Sequence, residues 1–390
     1  MIVSELMQTS SLHPVKGVPG RWFDSMQEDG FTMRVAVAWH GLPYYGARLL
    51  RPVVSKLGKR IAIIATQGPQ SSEEIEAALG SSICIAPEDS HLCWNQLDLQ
   101  VPNLFFHSGW AYPNFRSLAR EVKRQGGTVV SMVDNTCKHS LRQEFGKYIF
   151  RWRYRPQVDF AMVPGASGQE LMKLFGMPDG SVYTGLYGAD PETFQLGPPW
   201  SERAYHFLFV GQFISRKGLK GLVGAARLLR SEGMDFRIAA VGAGPMRADL
   251  ESAGIEVHAF TGAAEVARTM QNARFLVLPS MEDHWGLVVH EAALSGCGLI
   301  LSTAVGSHRD LLSVRNGFIC EPGQPAPAMR QALLADPLWL SACLPESRRS
   351  ALAFGPQRWS QVFGQIYAHA AASQHTGAKS QRGDSVRNMN

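Results

Sequence analysis

Short apolar, β-prone runs alternate with stretches of helical periodicity along most of this chain. From residue 34 the order is RVAVAW, a glycine-containing loop HGLPYYGA, a helical pattern through Leu50 to Leu57, and RIAIIAT. Strand-like runs continue at SICIA, NLFFH, TVVSMV and VDFAMV, separated by helical segments such as Phe115 to Arg124. Short apolar strands alternating with helices predict a parallel sheet covered on both faces. A proline-bearing stretch, residues 191–204, interrupts the alternation and reads as a linker. The pattern resumes at YHFLFV and runs through FRIAAVG, EVHAF, FLVLP and GLILS. It therefore predicts an α/β protein of two Rossmann-like domains, residues 31–190 and 205–354, facing a central cleft. Ligand is expected outside the carboxyl ends of the strands. Helical spacing over 355–371 ends the periodic region; the polar stretch 372–390 reads as disordered, and 1–30 as a leader or poorly ordered arm.

The densest chemistry lies in PSMEDHWGLVVHEAALSGCG, residues 279–298. It leaves the strand-like ARFLVL, turns through two carboxylates and enters an apolar helix at Trp285-Gly286. Such a junction aims the backbone N–H groups of Gly286, Leu287 and Val288 at the sheet edge, an arrangement that favours phosphate. Asp283 and Glu291 stand on either side of this turn, placed to hold a sugar and a ribose at opposite ends of a nucleotide sugar.

The segment resembles the signature of the retaining glycosyltransferases of family 4, two-domain enzymes of the GT-B fold in which two glutamates flank a Gly-aromatic-Gly-Leu core. Aligning Trp285-Gly286-Leu287 on that core, with His284 before it, puts Asp283 at the first acid and Glu291 at the second. Glu282 is the alternative first acid, with a longer reach. A second segment, FVGQFISRKGLKGL, resembles the family's Gly-Arg-x-x-x-x-Lys-Gly. Lys217 matches the lysine that neutralises the diphosphate, next to Gly211; Gln212 replaces the arginine, and Arg216 is the candidate to compensate. Read from its residues alone, Lys217 also fits the start of an exposed helix. In AAVGAGPMRADL the pair Gly242 and Gly244 precedes Pro245, as in the family's turn beside the base. Comparison with the dinucleotide fingerprint fails at the third glycine, where Arg247 stands.

On the acceptor side the resemblance implies Gly41, Tyr44 and Tyr45 in the first loop and His107 at a strand end, the histidine being equally readable as structural. Asp134 follows TVVSMV where many members carry a histidine. It is either a contact to the reacting groups or a cap of a helix starting near Cys137. The segments ending in Tyr187-Gly188-Ala189-Asp190 and containing Asp310 resemble family stretches that support the fold.

Composition narrows the rest. With 390 residues, 45% hydrophobic and 18% charged, the chain has the make-up of a globular protein with room for two cores. A net charge of +5 permits an anionic substrate or surface without demanding one. No apolar run approaches the length of a membrane span and the first thirty residues lack a signal peptide's apolar core, so a cytoplasmic location is expected. The six cysteines, Cys84, Cys93, Cys137, Cys297, Cys320 and Cys343, form no C-x-x-C pair and read as buried reduced thiols. Residues 141–156, LRQEFGKYIFRWRYRP, interleave basic and aromatic side chains. They read as a helix with one packed face, or as a peripheral contact to the inner membrane face or a lipid-linked acceptor; no nucleic-acid partner is expected.

The expectation is a retaining transferase moving a sugar from a nucleotide diphosphate donor, its co-substrate, to a glycan or lipid-linked acceptor hydroxyl. Lys217, Asp283 and Asp134 would carry the chemistry. No metal or other cofactor is expected, as the resemblance implies and the lack of any D-x-D pair agrees. The alternatives are a nucleotide-sugar-binding protein of the same fold without transferase activity, and a nucleotide-dependent oxidoreductase.

Overall fold

Two all-parallel sheets organise the protein. The computed structural model describes residues 33–387 apart from positions 69 and 261, with side chains through residue 373; the leader expected over 1–30 lies outside the described residues. The first sheet is built from β1 (Val35–Trp39), β2 (Ile61–Ala65), β3 (Cys84–Ile85), β4 (Leu104–Ser108), β5 (Thr128–Met132), β6 (Phe160–Val163) and β7 (Val182–Thr184), in the order β3-β2-β1-β4-β5-β6-β7. The second comprises β8 (Tyr205–Val210), β9 (Ile238–Val241), β10 (Glu256–His258), β11 (Ala273–Leu278), β12 (Gly298–Ser302) and β13 (Gly317–Cys320), in the order β10-β9-β8-β11-β12-β13. Strand order reverses between β1 and β4 in the first sheet and between β8 and β11 in the second. Loops leaving those strands diverge and open a crevice. The carboxyl ends of β8 and β11 carry the segments that begin at Gly211 and Pro279, so topology delivers both motifs to one edge.

The central strands are apolar on both faces because helices cover both. All five residues of β1 and of β12 are buried. Register is in phase across the switch points, with Val35 paired to both Ile61 and Leu104, and Phe207 paired to Phe275. Each sheet has its own apolar core, one around Phe105, Phe115 and Trp94, the other around Phe207, Leu276 and Leu299. The described residues from Met33 onward form one compact unit containing both lobes.

Two segments differ from their sequence reading. The stretch 191–204 is packed, not a free linker. Trp200 is buried and donates from Nε1 to the Gly296 carbonyl at 2.9 Å, while the Arg203 guanidinium, 2% exposed, donates to the carbonyls of Ala273 (2.7 Å), Pro198 (2.9 Å) and Ser295 (3.0 Å). A buried guanidinium is tolerable when carbonyls satisfy its donors, and here it fixes the connector to the second lobe. The terminal helix runs Pro356–Arg387, through most of the stretch expected to be disordered. Its first half returns to the first lobe, where Phe363 stacks on Phe106 with ring centroids 5.4 Å apart and the helix packs on helix Tyr44–Leu57.

Candidate active site

The second lobe holds a cavity of about 620 Å³ at the β8/β11 switch point, lined by Gly211, Gln212, Arg216, Lys217, Gly242, Asp283, Gly286, Leu287 and Glu291 with Phe194 and Phe260. Its shape depends on glycines at close approaches. A Cβ on Gly242 would stand 1.9 Å from the Gly211 carbonyl oxygen, and one on Gly218 would stand 2.0 Å from that of Pro279. Gly218, at φ +74°, ends the 3-10 turn Ser215–Lys217 and lets it pass directly over the end of β11. That passage brings Lys217 to Asp283.

Lys217 Nζ and Asp283 Oδ2 are 2.5 Å apart, with side chains 15% and 13% exposed. The loop carrying Asp283 is strapped to its neighbour: its N–H donates to the Ala304 carbonyl at 3.1 Å, and its carbonyl accepts from Gly306 at 2.9 Å. Glu282 turns away. Its carboxylate pairs with Lys138 of the first lobe, which with His284 holds it below the ordinary range, so Asp283 is the acid inside the cavity. Arg216 donates to the Glu282 carbonyl at 2.9 Å, locking the two loops together.

Helix Leu287–Leu294 starts at Gly286, φ +73°, with no side chain capping its first turn. Its leading N–H groups and positive dipole end therefore stay available to an anion at this cavity. Glu291, one turn further on, is half-buried against the same cavity. Burial alone pushes its carboxyl up to about 7, and no described group bonds it. A buried carboxyl of this kind in a cleft is a candidate for ligand contact.

The first lobe contributes a second cavity, of about 260 Å³, at the β1/β4 switch point. Gly41, Tyr45 and Asp134 line it together with Trp39, Tyr112 and Tyr187. Tyr187 donates to Asp134 Oδ2 at 3.3 Å, and Tyr45 meets the Tyr187 ring edge-on at 5.7 Å. Burial raises the Tyr45 hydroxyl to about 12 and that of Tyr187 further, so both remain protonated donors. Asp134 is not a helix cap, since the next helix begins at Leu141 with Ser140 accepting from Gln143 N–H at 3.3 Å.

Several sequence-predicted residues lie outside both cavities. Gly244 abuts the backbone of Phe213. Trp285, 3% exposed, packs on Phe354 and against Gly165 of the first lobe, a spacer between lobes and not a donor contact. His284 presses its carbonyl on Gly306. Tyr44 is 40% exposed at the start of its helix. His107 is buried and stacked on Phe105; its Nδ1–H donates to the Gly109 carbonyl at 2.9 Å, and burial lowers its pKa to about 4, so it is a neutral core histidine.

Sequence reasoning missed how the lobes meet. His290 is buried, accepts from Ala189 N–H at 2.6 Å through Nδ1 and donates through Nε2 to the Ala351 carbonyl at 2.7 Å, tying the crossover between lobes. Asp310 accepts from Ala166 N–H at 3.0 Å at the start of helix Ala166–Leu174. Its place in the family-like segment was the only available signal. The expected packed face of residues 141–156 is also largely absent: Phe150 is buried, but Leu141, Phe145, Tyr148, Ile149 and Trp152 are 56–81% exposed.

Residues 204–335 match the family model described as glycosyl transferases group 1. The D-inositol 3-phosphate glycosyltransferase of Arthrobacter sp. (strain FB24) is 31% identical over 195 residues, 46% of each chain. The 2-deoxystreptamine glucosyltransferase of Streptomyces kanamyceticus is 33% identical over 140 residues, 33% of this chain and 36% of that one. The matched stretches thus span less than half the length of these curated relatives. The structure of Anabaena Alr3699/HepE in complex with UDP and glucose superposes over 86% of this chain and 99% of that one, with a TM-score of 0.64 at 12% identity. The fold is GT-B.

Proposed function

We propose that this protein transfers a sugar from a nucleoside diphosphate donor to an acceptor hydroxyl with retention of anomeric configuration. The observation that carries the reading is one cavity holding the Lys217–Asp283 pair together with the unpartnered Glu291 carboxyl. Glu291 accepts from the ribose hydroxyls. The diphosphate lies against the start of helix Leu287–Leu294, with Lys217 and Arg216 neutralising the charge that grows on it as the glycosidic C–O bond breaks. Asp283 orients the sugar. The acceptor oxygen bonds to the anomeric carbon on the face the diphosphate leaves, and the acceptor proton passes to a departing phosphate oxygen. These cationic and backbone groups supply the leaving-group stabilisation, so the proposed chemistry uses no metal.

The acceptor enters through the first-lobe cavity. Its aromatic walls suit the apolar face of a sugar ring, and Asp134, the one carboxylate among its described lining residues, accepts a hydrogen bond from the acceptor or donor sugar. Leu141, Phe145, Tyr148, Ile149 and Trp152 recur at helical spacing and are bordered by exposed Arg142, Arg151 and Arg153. An exposed apolar stripe edged by arginines suits peripheral contact with an anionic inner membrane face and hence a lipid-linked acceptor. No described helix is long and apolar enough to cross a membrane.

The test is a thermal-shift screen against UDP-, GDP-, ADP- and dTDP-sugars, followed by nucleotide release with the best donor and candidate acceptors, and NMR of the product anomer. Release in step with an axial-to-axial or equatorial-to-equatorial product supports the reading. A donor that binds without release under any acceptor would identify a nucleotide-sugar binder instead.

A further inference from the structure

Beside the donor cavity, a third cavity of about 440 Å³ lies between the lobes. Its first-lobe wall includes Cys137 and His139 on the loop after β5, and Glu170 on helix Ala166–Leu174. The donor atoms of these three side chains all lie within 4.8 Å of one another. Cys137 Sγ is 3.7 Å from His139 Nε2, which is 3.0 Å from Glu170 Oε1. On a tetrahedral zinc ion with ordinary bond lengths, sulfur and nitrogen ligands stand about 3.6 Å apart, and nitrogen and oxygen ligands about 3.4 Å. The observed separations differ from these by about a tenth of an ångström for the first pair and about four tenths for the second, within reach of partly exposed side chains.

Three further features set the ligands in place. Cys137 is anchored to the helix that bears Glu170, its N–H donating to Ser167 Oγ at 3.1 Å. Gln143 pins both sides of the loop, accepting from Lys138 N–H at 2.7 Å and donating to the Thr136 carbonyl at 2.7 Å. Arg309 of the second lobe holds Glu170 Oε2 at 2.6 Å, leaving Oε1 for the cluster. A ligating carboxylate is ordinarily held by such a hydrogen bond from outside the site.

We propose that Cys137, His139 and Glu170 form a binding site for a zinc-class divalent ion, with one coordination position open to the interlobe cavity. A thiolate, an imidazole and a carboxylate match such an ion's preference, and three protein ligands leave the fourth place to water or an oxygen ligand. None of the three ligands lines the donor cavity, although Asp283 lines both that cavity and this one. Bound metal ties the 137–139 loop to helix Ala166–Leu174 and, through Arg309 on Glu170, reaches the second lobe.

Tag-free full-length protein, stripped with a chelator, should be titrated with Co²⁺ and then with Zn²⁺. The expected result is one equivalent of Co²⁺ giving a thiolate-to-cobalt charge-transfer band in the near ultraviolet, bleached by Zn²⁺. The band should vanish in both Cys137→Ser and His139→Ala and persist in Cys93→Ser, with melting temperatures of the metal-free variants unchanged. No band in the wild type, or a band that survives Cys137→Ser, overturns the proposal. Should a variant fold poorly, equilibrium dialysis of Zn²⁺ against the wild type alone decides the same point: one equivalent retained at micromolar free zinc supports the site, and less than one refutes it.

Discussion

Glu291→Gln gives opposite expected effects on stability and on binding. In the folded chain burial brings the Glu291 carboxyl to about 7, against 4.5 when free. Below pH 4.5 it is protonated in folded and unfolded chains alike, and folding is insensitive to it. As pH rises the unfolded chain releases this proton first, so folded-state stability falls until pH has passed 7. At about 1.4 kcal/mol per pH unit between the two values, the full cost above pH 7 is about 3 kcal/mol. Partial solvent access to the side chain reduces this to roughly 1–2 kcal/mol. The neutral amide avoids that cost, so the variant should be more stable than the wild type at pH 8 and equal to it near pH 4. Binding should move the other way. A carboxylate titrating near 7 is about one-tenth ionised at pH 6 and nine-tenths at pH 8. If the ionised form accepts from ribose, nucleotide affinity rises about tenfold across that interval in the wild type. The amide should lose about tenfold in affinity at pH 8 and lack this part of the rise. Calorimetry from pH 6 to 8, using whichever of UDP, GDP, ADP and dTDP binds tightest, measures the effect, and the wild-type-to-variant ratio removes the phosphate's own titration. A variant that binds equally well at pH 8 and melts no higher than the wild type would refute the placement of Glu291 at a ribose.

Lys217→Ala should lower kcat by roughly 100-fold or more, the cost of removing one preorganised charge partner being about 3 kcal/mol; turnover within tenfold of wild type in a nucleotide-release assay would contradict its role on the diphosphate. Asp283→Ala should abolish transfer while Glu282→Ala, which breaks the exposed contacts with Lys138 and His284, keeps most activity; the reverse ranking would show that the loop presents the other acid to the sugar. Phe145→Ser and Trp152→Ser should each weaken binding to anionic vesicles by roughly tenfold or more, since each removes about 1.5–3 kcal/mol of apolar burial, with transfer to a soluble acceptor unchanged. Equal vesicle sedimentation of wild type and the double variant would end the membrane assignment.

What the sequence determined by itself is local. Apolar runs at strand length, helical periods between them and glycines at the turns made both sheets legible, because a buried parallel strand must be apolar on both faces and its turns need positive φ or close approach. The motif around Gly286 was legible for the same reason: a helix start after a strand is a local event, and it carries its phosphate preference with it. Tertiary structure decided what depends on residues far apart in the chain. It assigned Asp283 and not Glu282 to the donor cavity, because Gly218 lets Lys217 cross the end of β11 and claim one acid while Lys138 of the other lobe claims the second. It buried His107 and Trp285, which the family resemblance made ligand candidates, and made 191–204 part of the second lobe through Arg203. It also left Phe145 and Trp152 in solvent, where an aromatic in a helical period ordinarily signals packing. Periodicity states which residues share a face; only the neighbouring elements settle whether that face meets a core, a ligand or water.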